Sequence, residues 1–272
     1  MPIDEKVSQL QQIMRDLGRV LVAFSGGVDS TYLLRIALDT LGRENVLAVI
    51  ATSESYPARE LAEAERLGAE MKANFRVVHS NELADARFAA NPSNRCYYCK
   101  MELFSKLIDT AKAEGYAAVL DGNNADDLGD WRPGQKAGKE LGVRSPLQEA
   151  GMSKAEIREH SHALGLPTWD KPSYACLASR IPYGTPITEG TLNTIDAAEN
   201  VLLDLGFSQV RVRFHGEVAR IEVVPEEIAR LVDAAVRDRV VERLKALGFK
   251  YVTLDLQGYR TGSMNEVLAV KE

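Results

Sequence analysis

The chain is expected to fold as an α/β protein, a doubly wound parallel sheet followed by a smaller α+β domain, and three observations predict it. Short apolar runs alternate with helical-period segments across residues 20–120. A glycine-serine loop separates the first apolar run from the first helix. Pro167 and Pro172 then break the pattern, and beyond them two runs alternate with period two, so the boundary is placed between residues 1–170 and 171–272.

Leu10, Ile13, Met14 and Leu17 recur at helical spacing, so an amphipathic helix over residues 5–17 precedes the strand Val20-Leu21-Val22. After the loop, Tyr32 to Leu38 continues as a helix. Val46 to Ala51 reads as a buried parallel strand, and residues 57–72 read as a helix with Pro57 near its first turn. Phe75 to Val78 is a third strand and Ala117 to Leu120 a fourth. Between them Cys96 opens a helix that runs through Leu103, Phe104, Leu107 and Ile108. Trp131-Arg132-Pro133-Gly134 predicts a surface loop, and Ser153 with Glu156 three residues on predicts a capping box. His160 and His162 fall in the helix that follows and read as surface residues. In the second domain, Thr188 to Leu205 is helical and strands Gln209 to Phe214 and Val218 to Val223 flank a His215-Gly216 turn. One or two helices over residues 225–247 and a last strand, Tyr251 to Leu256, complete it.

Length and composition are ordinary for a soluble globular protein: 272 residues, 45% hydrophobic and 26% charged. The N-terminus lacks the basic-then-apolar form of a secretion signal and no apolar run is long enough to span a bilayer, so a cytoplasmic protein with no membrane partner is expected. A net charge of −6 argues against a broad nucleic-acid footprint, which needs a basic face. Three cysteines make a disulfide framework an unsuitable reading and turn attention to metal or catalytic use.

The loop itself is Ala23-Phe24-Ser25-Gly26-Gly27-Val28-Asp29-Ser30. Glycines let backbone approach a ligand, the helix start offers unpaired N–H groups, and Ser25 and Ser30 add hydroxyl donors, so the stretch is a cradle for phosphate oxygens. No Gly-Lys-Ser/Thr follows, which separates it from the Walker pattern of γ-phosphoryl transfer. Ser-Gly-Gly-Val-Asp-Ser resembles the signature of the PP-loop ATP pyrophosphatases, which cleave ATP between its α- and β-phosphates. In an open parallel sheet ligands bind beyond the carboxyl ends of the strands, where Thr52-Ser53 and Asp121-Gly122-Asn123 also fall. Thr52 and Ser53 either bond adenine or ribose or form an ordinary polar strand end. Asp29 and Asp126 are candidate Mg²⁺ carboxylates, with helix capping the alternative for Asp126. Arg144, in Arg144-Ser145-Pro146-Leu147, either reaches nucleotide phosphates or makes a structural ion pair.

Cys96 and Cys99 lie three apart on one helix, and Cys176 stands far along the chain in Cys176-Leu177-Ala178-Ser179-Arg180. Three thiolates with no fourth protein ligand fit a [4Fe–4S] cluster with one open iron. Zinc with a histidine (His79, His160, His162 or His215), a persulfide or disulfide relay, and spectator thiols are the alternatives. Arg211 and Arg213 share one strand face, either as a paired anion site or as a solvated face. Glu199 and Glu222 either pair those arginines or bind metal.

The phosphate loop, Asp121-Gly122-Asn123-Asn124, Cys176 to Gly184 and Gly258-Tyr259-Arg260-Thr261-Gly262-Ser263 together resemble the LarE family of ATP-dependent sulfur transferases, and the likeness spans nearly the whole chain. The resemblance implies adenylation of the carboxylates of pyridinium-3,5-dicarboxylate mononucleotide and their conversion to thiocarboxylates during nickel-pincer cofactor synthesis. ATP and Mg²⁺ serve the adenylation. Such a substrate carries a phosphate and two carboxylates and needs cationic partners: Arg180 follows Cys176 closely enough to place it near sulfur, and Arg211 and Arg213, with Glu199 and Glu222, are the other candidates around it. Some members spend the sulfur of a single cysteine, the counterpart of Cys176. The additional Cys96 and Cys99 resemble the three-cysteine members, for which a [4Fe–4S] cluster fed by sulfide or a cysteine desulfurase is implied. A homo-oligomer, trimer or hexamer, is implied as well. Competing expectations are a tRNA thiolation enzyme and an amide synthetase that uses no sulfur.

Overall fold

The structure is a computed structural model, and it describes residues 2–129, 133–172, 175–260 and 262–265. Contacts divide the chain into two compact units, Met1–Phe88 with Asn94–Tyr174, and Ala89–Ser93 with Ala175–Glu272.

In the first unit the elements run α1 (Ile3–Leu17), β1 (Val20–Ala23), α2 (Val28–Leu41), β2 (Val46–Thr52), α3 (Ala58–Glu70), β3 (Asn74–His79), α4 (Ala86–Ala89, whose last residue belongs to the second unit), α5 (Arg95–Glu114), β4 (Ala118–Leu120), α6 (Pro133–Glu140), α7 (Pro146–Glu149) and α8 (Lys154–Ala163). The four strands form a parallel sheet in the order β3-β2-β1-β4. Alternation along β1 explains both layers. Val20 and Val22 point into a core shared with Leu10 and Met14 of α1, Leu33 and Leu34 of α2, and Ile157 of α8. Leu21 points the other way, onto Phe104 and Leu107 of α5. Arg144 extends the sheet by one residue, its amide donating to the Val119 carbonyl and its carbonyl accepting from Asp121. The predicted loop at 131–134 is corrected where it is described: Pro133 opens α6, because proline at a first helical position gives up only an N–H that has no partner there. Trp131 and Arg132 lie outside the described residues. The capping box at Ser153 forms as expected, with Ser153 Oγ accepting from the Glu156 amide and Glu156 from the Ser153 amide.

The second unit carries α9 (Glu189–Asp204), an antiparallel hairpin of β5 (Val210–His215) and β6 (Val218–Val223), α10 (Ile228–Val232), α11 (Ala234–Ala246) and β7 (Tyr251–Leu254), which pairs parallel to β6. Two helices fill residues 225–247, divided at Asp233, whose carboxylate caps α11 by accepting from the Ala235 amide. Val210, Val212, Ile221 and Val223 of the hairpin pack with Ala198, Leu202, Val240 and Leu244. Residues 89–93 join this unit through Asn91, whose Nδ2 donates to the carbonyls of Pro182 and Thr185, both at 2.9 Å.

Candidate functional site

Because β1, β2 and β4 are parallel, the segments leaving their carboxyl ends gather at one edge of the first unit. The segment after β1 is held open from inside. Ser30 Oγ accepts from the Ser25 amide at 3.2 Å and lies 3.0 Å from Ser25 Oγ, while Tyr56 Oη donates to the Ser25 carbonyl at 2.9 Å. Gly26 has φ +66°, and a Cβ there would sit 3.0 Å from the Ala64 Cβ, so both backbone shape and space require glycine. Gly27 caps α2 without a side chain, which leaves the first-turn amides of α2 without a capping side-chain acceptor. Gly122 meets this loop directly: a Cβ on it would lie 3.1 Å from the Ser30 amide nitrogen.

Around that contact the acidic segment after β4 is ordered by its own hydrogen bonds. Asp121 is buried, which pushes its carboxyl above the ordinary range, opposed by donors from Ser145 Oγ at 2.7 Å and the Asn123 amide at 3.2 Å. Asn124 Nδ2 donates to Asp29 Oδ1 at 3.4 Å. Asp126 is exposed, and its carboxylate accepts the Lys154 amide at 2.8 Å at the start of α8. Lys154 Nζ reaches Asp29 Oδ2 at 2.6 Å, so one residue engages both candidate Mg²⁺ carboxylates. Arg144 makes the structural pair with Glu149, its Nε donating to Oε1 at 2.8 Å. Thr52 gives its carbonyl to the Ser80 amide, and Ser53 Oγ stands 3.3 Å from Ser55 Oγ.

Cys96 and Cys99 occupy the first turn of α5, Cys96 exposed and Cys99 half-buried. Cys99 Sγ donates to Glu82 Oε1 at 2.9 Å, and the other oxygen of this buried carboxylate accepts from Ser55 Oγ at 2.7 Å. Cys176 belongs to the second unit, at the start of the single turn Leu177–Arg180. Among the described residues no three His, Cys, Asp or Glu side chains gather as a metal-binding group. His160 is half-buried rather than on the surface, its Nδ1 2.7 Å from the Tyr32 hydroxyl.

Within the second unit the strand arginines are buried, Arg211 at 3% exposure and Arg213 at 8%, so a solvated strand face is not what forms. Arg213 is clamped by both oxygens of Glu222, at 2.9 and 2.7 Å. Glu199 pairs with Arg180, both contacts at 2.8 Å, and its charge also acts on Arg211. Arg180 Nη1 also donates to the Cys176 carbonyl at 2.9 Å, which ties the cysteine's backbone to the arginine cluster. Arg211 lies against the Tyr259 ring, and burial together with neighbouring Arg180 pushes its guanidinium below the ordinary range.

Comparison with known proteins bears on this arrangement. The NAD synthase family model matches residues 3–97, the part that carries the phosphate loop. A pyridinium-3,5-bisthiocarboxylic acid mononucleotide synthase from Lactiplantibacillus plantarum is 47% identical over 264 residues, 97% of this chain and 95% of its own length. The chain belongs to that synthase's family, LarE. An uncharacterized Synechocystis protein is 46% identical over 98% of this chain and 99% of its own length. An ammonia-dependent NAD⁺ synthetase from Chlorobaculum tepidum is 32% identical over 75 residues, 28% of this chain and 27% of its own length.

Several side chains of this LarE-family site escape sequence reasoning. Lys154 stands 125 residues from Asp29, and Glu82 stands 17 residues from Cys99 in a stretch without a motif. Lys171, next to the proline that marked the domain boundary, donates to the Gly26 carbonyl at 3.2 Å and pairs with Glu60 at 2.8 Å. The only sequence sign of Lys154 is its place beside a capping serine. Among the described residues no helix is long and apolar enough to cross a membrane.

Proposed function

We propose that the chain is an ATP-dependent sulfur transferase that adenylates the carboxylates of pyridinium-3,5-dicarboxylate mononucleotide and converts them to thiocarboxylates. The observation that carries this reading is 47% identity, over 97% of the chain, to a synthase named for the bisthiocarboxylic product. A carboxylate resists attack because it is anionic and its oxygen is a poor leaving group. Transfer to the α-phosphate of ATP removes both obstacles, and pyrophosphate departs.

In this reading Ala23, Ser25, Gly26, Gly27 and Ser30 hold the polyphosphate with amides and hydroxyls, and the segment Asp121, Gly122 and Asn123 lies against it. Thr52 and Ser53 face the nucleoside. Arg144 serves the site by holding its segment in place. Oxygen donors suit Mg²⁺, and in this reading Asp29 would bind it, with Asp126 as second donor. When bound, the ion neutralises charge on the leaving pyrophosphate. Arg211 and Arg213 bind the substrate's phosphate or carboxylate, held by Glu222 and by the Arg180–Glu199 pair. Cys176 sits next to that cluster and presents sulfur. All-thiol donors, two of them one helical turn apart, suit a [4Fe–4S] cluster on Cys96, Cys99 and Cys176, which when bound would supply exchangeable sulfide from a sulfide or desulfurase source. A homo-oligomer and cytoplasmic location complete the proposal.

The test is anaerobic incubation with ATP, Mg²⁺, sulfide and the dicarboxylate mononucleotide, read by mass spectrometry. Replacement of carboxylate oxygen by sulfur, with AMP and pyrophosphate released, is expected. AMP release that yields an amide with ammonia, or a thiolated tRNA, would replace the proposal with one of its competitors. Iron and acid-labile sulfide are expected on the anaerobic protein and lost with Cys96→Ser, Cys99→Ser or Cys176→Ser. A protein iron-free after reconstitution rejects the cluster.

A further inference from the structure

We propose that Lys154 is an internal counter-cation that closes the Asp29 metal position until nucleotide arrives, so that divalent cation and ATP enter together. The proposal rests on the ATP-site reading above and goes beyond it in assigning the order of binding.

The geometry is specific. Lys154 Nζ stands 2.6 Å from Asp29 Oδ2, and the other carboxylate oxygen accepts from Asn124 Nδ2 at 3.4 Å. Both charged side chains remain reachable, 29% exposed for Lys154 and 22% for Asp29, so a ligand can separate them. The backbone of Lys154 is fixed independently, its amide donating to Asp126 Oδ2 at 2.8 Å beside the Ser153 capping box. Fixed backbone and flexible side chain let the ammonium leave Asp29 without any change in α8.

Charge balance gives the order. Asp29 and Lys154 together are neutral, and the N-terminus of α2 adds partial positive charge at the same place. With Asp126 counted the position keeps a single negative charge, and a divalent cation arriving alone must still displace the ammonium already in contact with Asp29. A triphosphate brings several negative charges at once, gives the ammonium a new partner and leaves Asp29 to the metal. Without the lysine, Asp29 would take up free cation, and the site would fill with metal before nucleotide.

The test uses the full-length protein and Mn²⁺, followed by electron paramagnetic resonance, with α,β-methylene-ATP as a nucleotide that cannot be cleaved at the adenylating bond. Wild type is expected to take up Mn²⁺ tightly only with the nucleotide. Lys154→Gln is expected to bind one Mn²⁺ per chain alone, tenfold or more tighter than wild type, and Lys154→Gln with Asp29→Asn is expected to lose that site. Lys154→Arg, which keeps the charge, is expected to restore exclusion. A purely structural role would move none of these affinities. Equal uptake of Mn²⁺ alone by wild type and Lys154→Gln, or a site in Lys154→Gln that survives Asp29→Asn, overturns the gate while leaving the ATP site standing. Failure of wild type and Lys154→Gln to bind Mn²⁺ even with α,β-methylene-ATP overturns both.

Discussion

Replacing Glu199 by glutamine removes one charge from an enclosed ion pair of the second unit. The Arg180 side chain is fully buried and that of Glu199 is 6% exposed. Glu199 accepts from Arg180 Nε and Nη2, both at 2.8 Å, and from the Val212 amide at 2.9 Å. Glutamine keeps the volume but leaves the guanidinium without its counter-charge. Breaking a buried pair from one side costs about 3–5 kcal/mol, a large part of the roughly 5–15 kcal/mol that holds a domain together. The assay is urea denaturation followed by circular dichroism, with hydrogen–deuterium exchange over residues 195–215 to place the loss. Expected are a lower midpoint and faster exchange at Val212, whose amide loses its carboxylate acceptor. The charge-free pair Arg180→Met with Glu199→Leu is expected to recover most of the stability, since the desolvation penalty then disappears with the charge. Glu199→Gln within about 1 kcal/mol of wild type, or a double variant no better than the single one, would falsify the assignment of a charge-dominated pair.

Gly26→Ala combines a left-handed backbone penalty of about 1–2 kcal/mol with a Cβ contact that either the loop or α3 must relieve. Calorimetric titration with α,β-methylene-ATP is expected to show affinity reduced tenfold or more, with the melting temperature lowered by roughly 2–8 °C; unaltered affinity would mean that the loop does not carry the phosphates. The Lys6–Glu156 ion pair predicts an acid limb to stability. The Lys6 hydrogen bonds and the Ser153 amide lower Glu156 from 4.5 to about 2, so its contribution is present above pH 4.5 and is lost as pH falls toward about 2. Melting temperature should therefore fall across that window, and Glu156→Gln should flatten part of the fall; an identical acid limb in the variant would assign it to other carboxylates. Because both side chains stay partly open to solvent, at 16% for Lys6 and 24% for Glu156, screening keeps the flattening modest.

Much of the fold was legible because its signals are local. Alternation in β1, helical spacing in α1 and the Ser153–Glu156 box each depend on neighbours within a turn or a strand. The phosphate loop was legible for the same reason, since glycine at Gly26 answers to its own φ. Pro133 was misread because proline marks loops and first helical turns alike, and only the packing of residues 133–140 separates the two.

What the sequence alone determined, then, is the order of elements and the chemistry available at the strand ends: glycines, hydroxyls, carboxylates and thiols. The tertiary structure decided the partners. Long side chains such as Lys154, Glu82, Arg180 and Arg213 can each satisfy several acceptors or donors, and burial selects one by penalising every charge left without a mate. That choice gave Arg180 to Glu199, Arg213 to Glu222 and Cys99 to Glu82. It also set Lys154 on Asp29, a pairing across 125 residues that no local pattern carries.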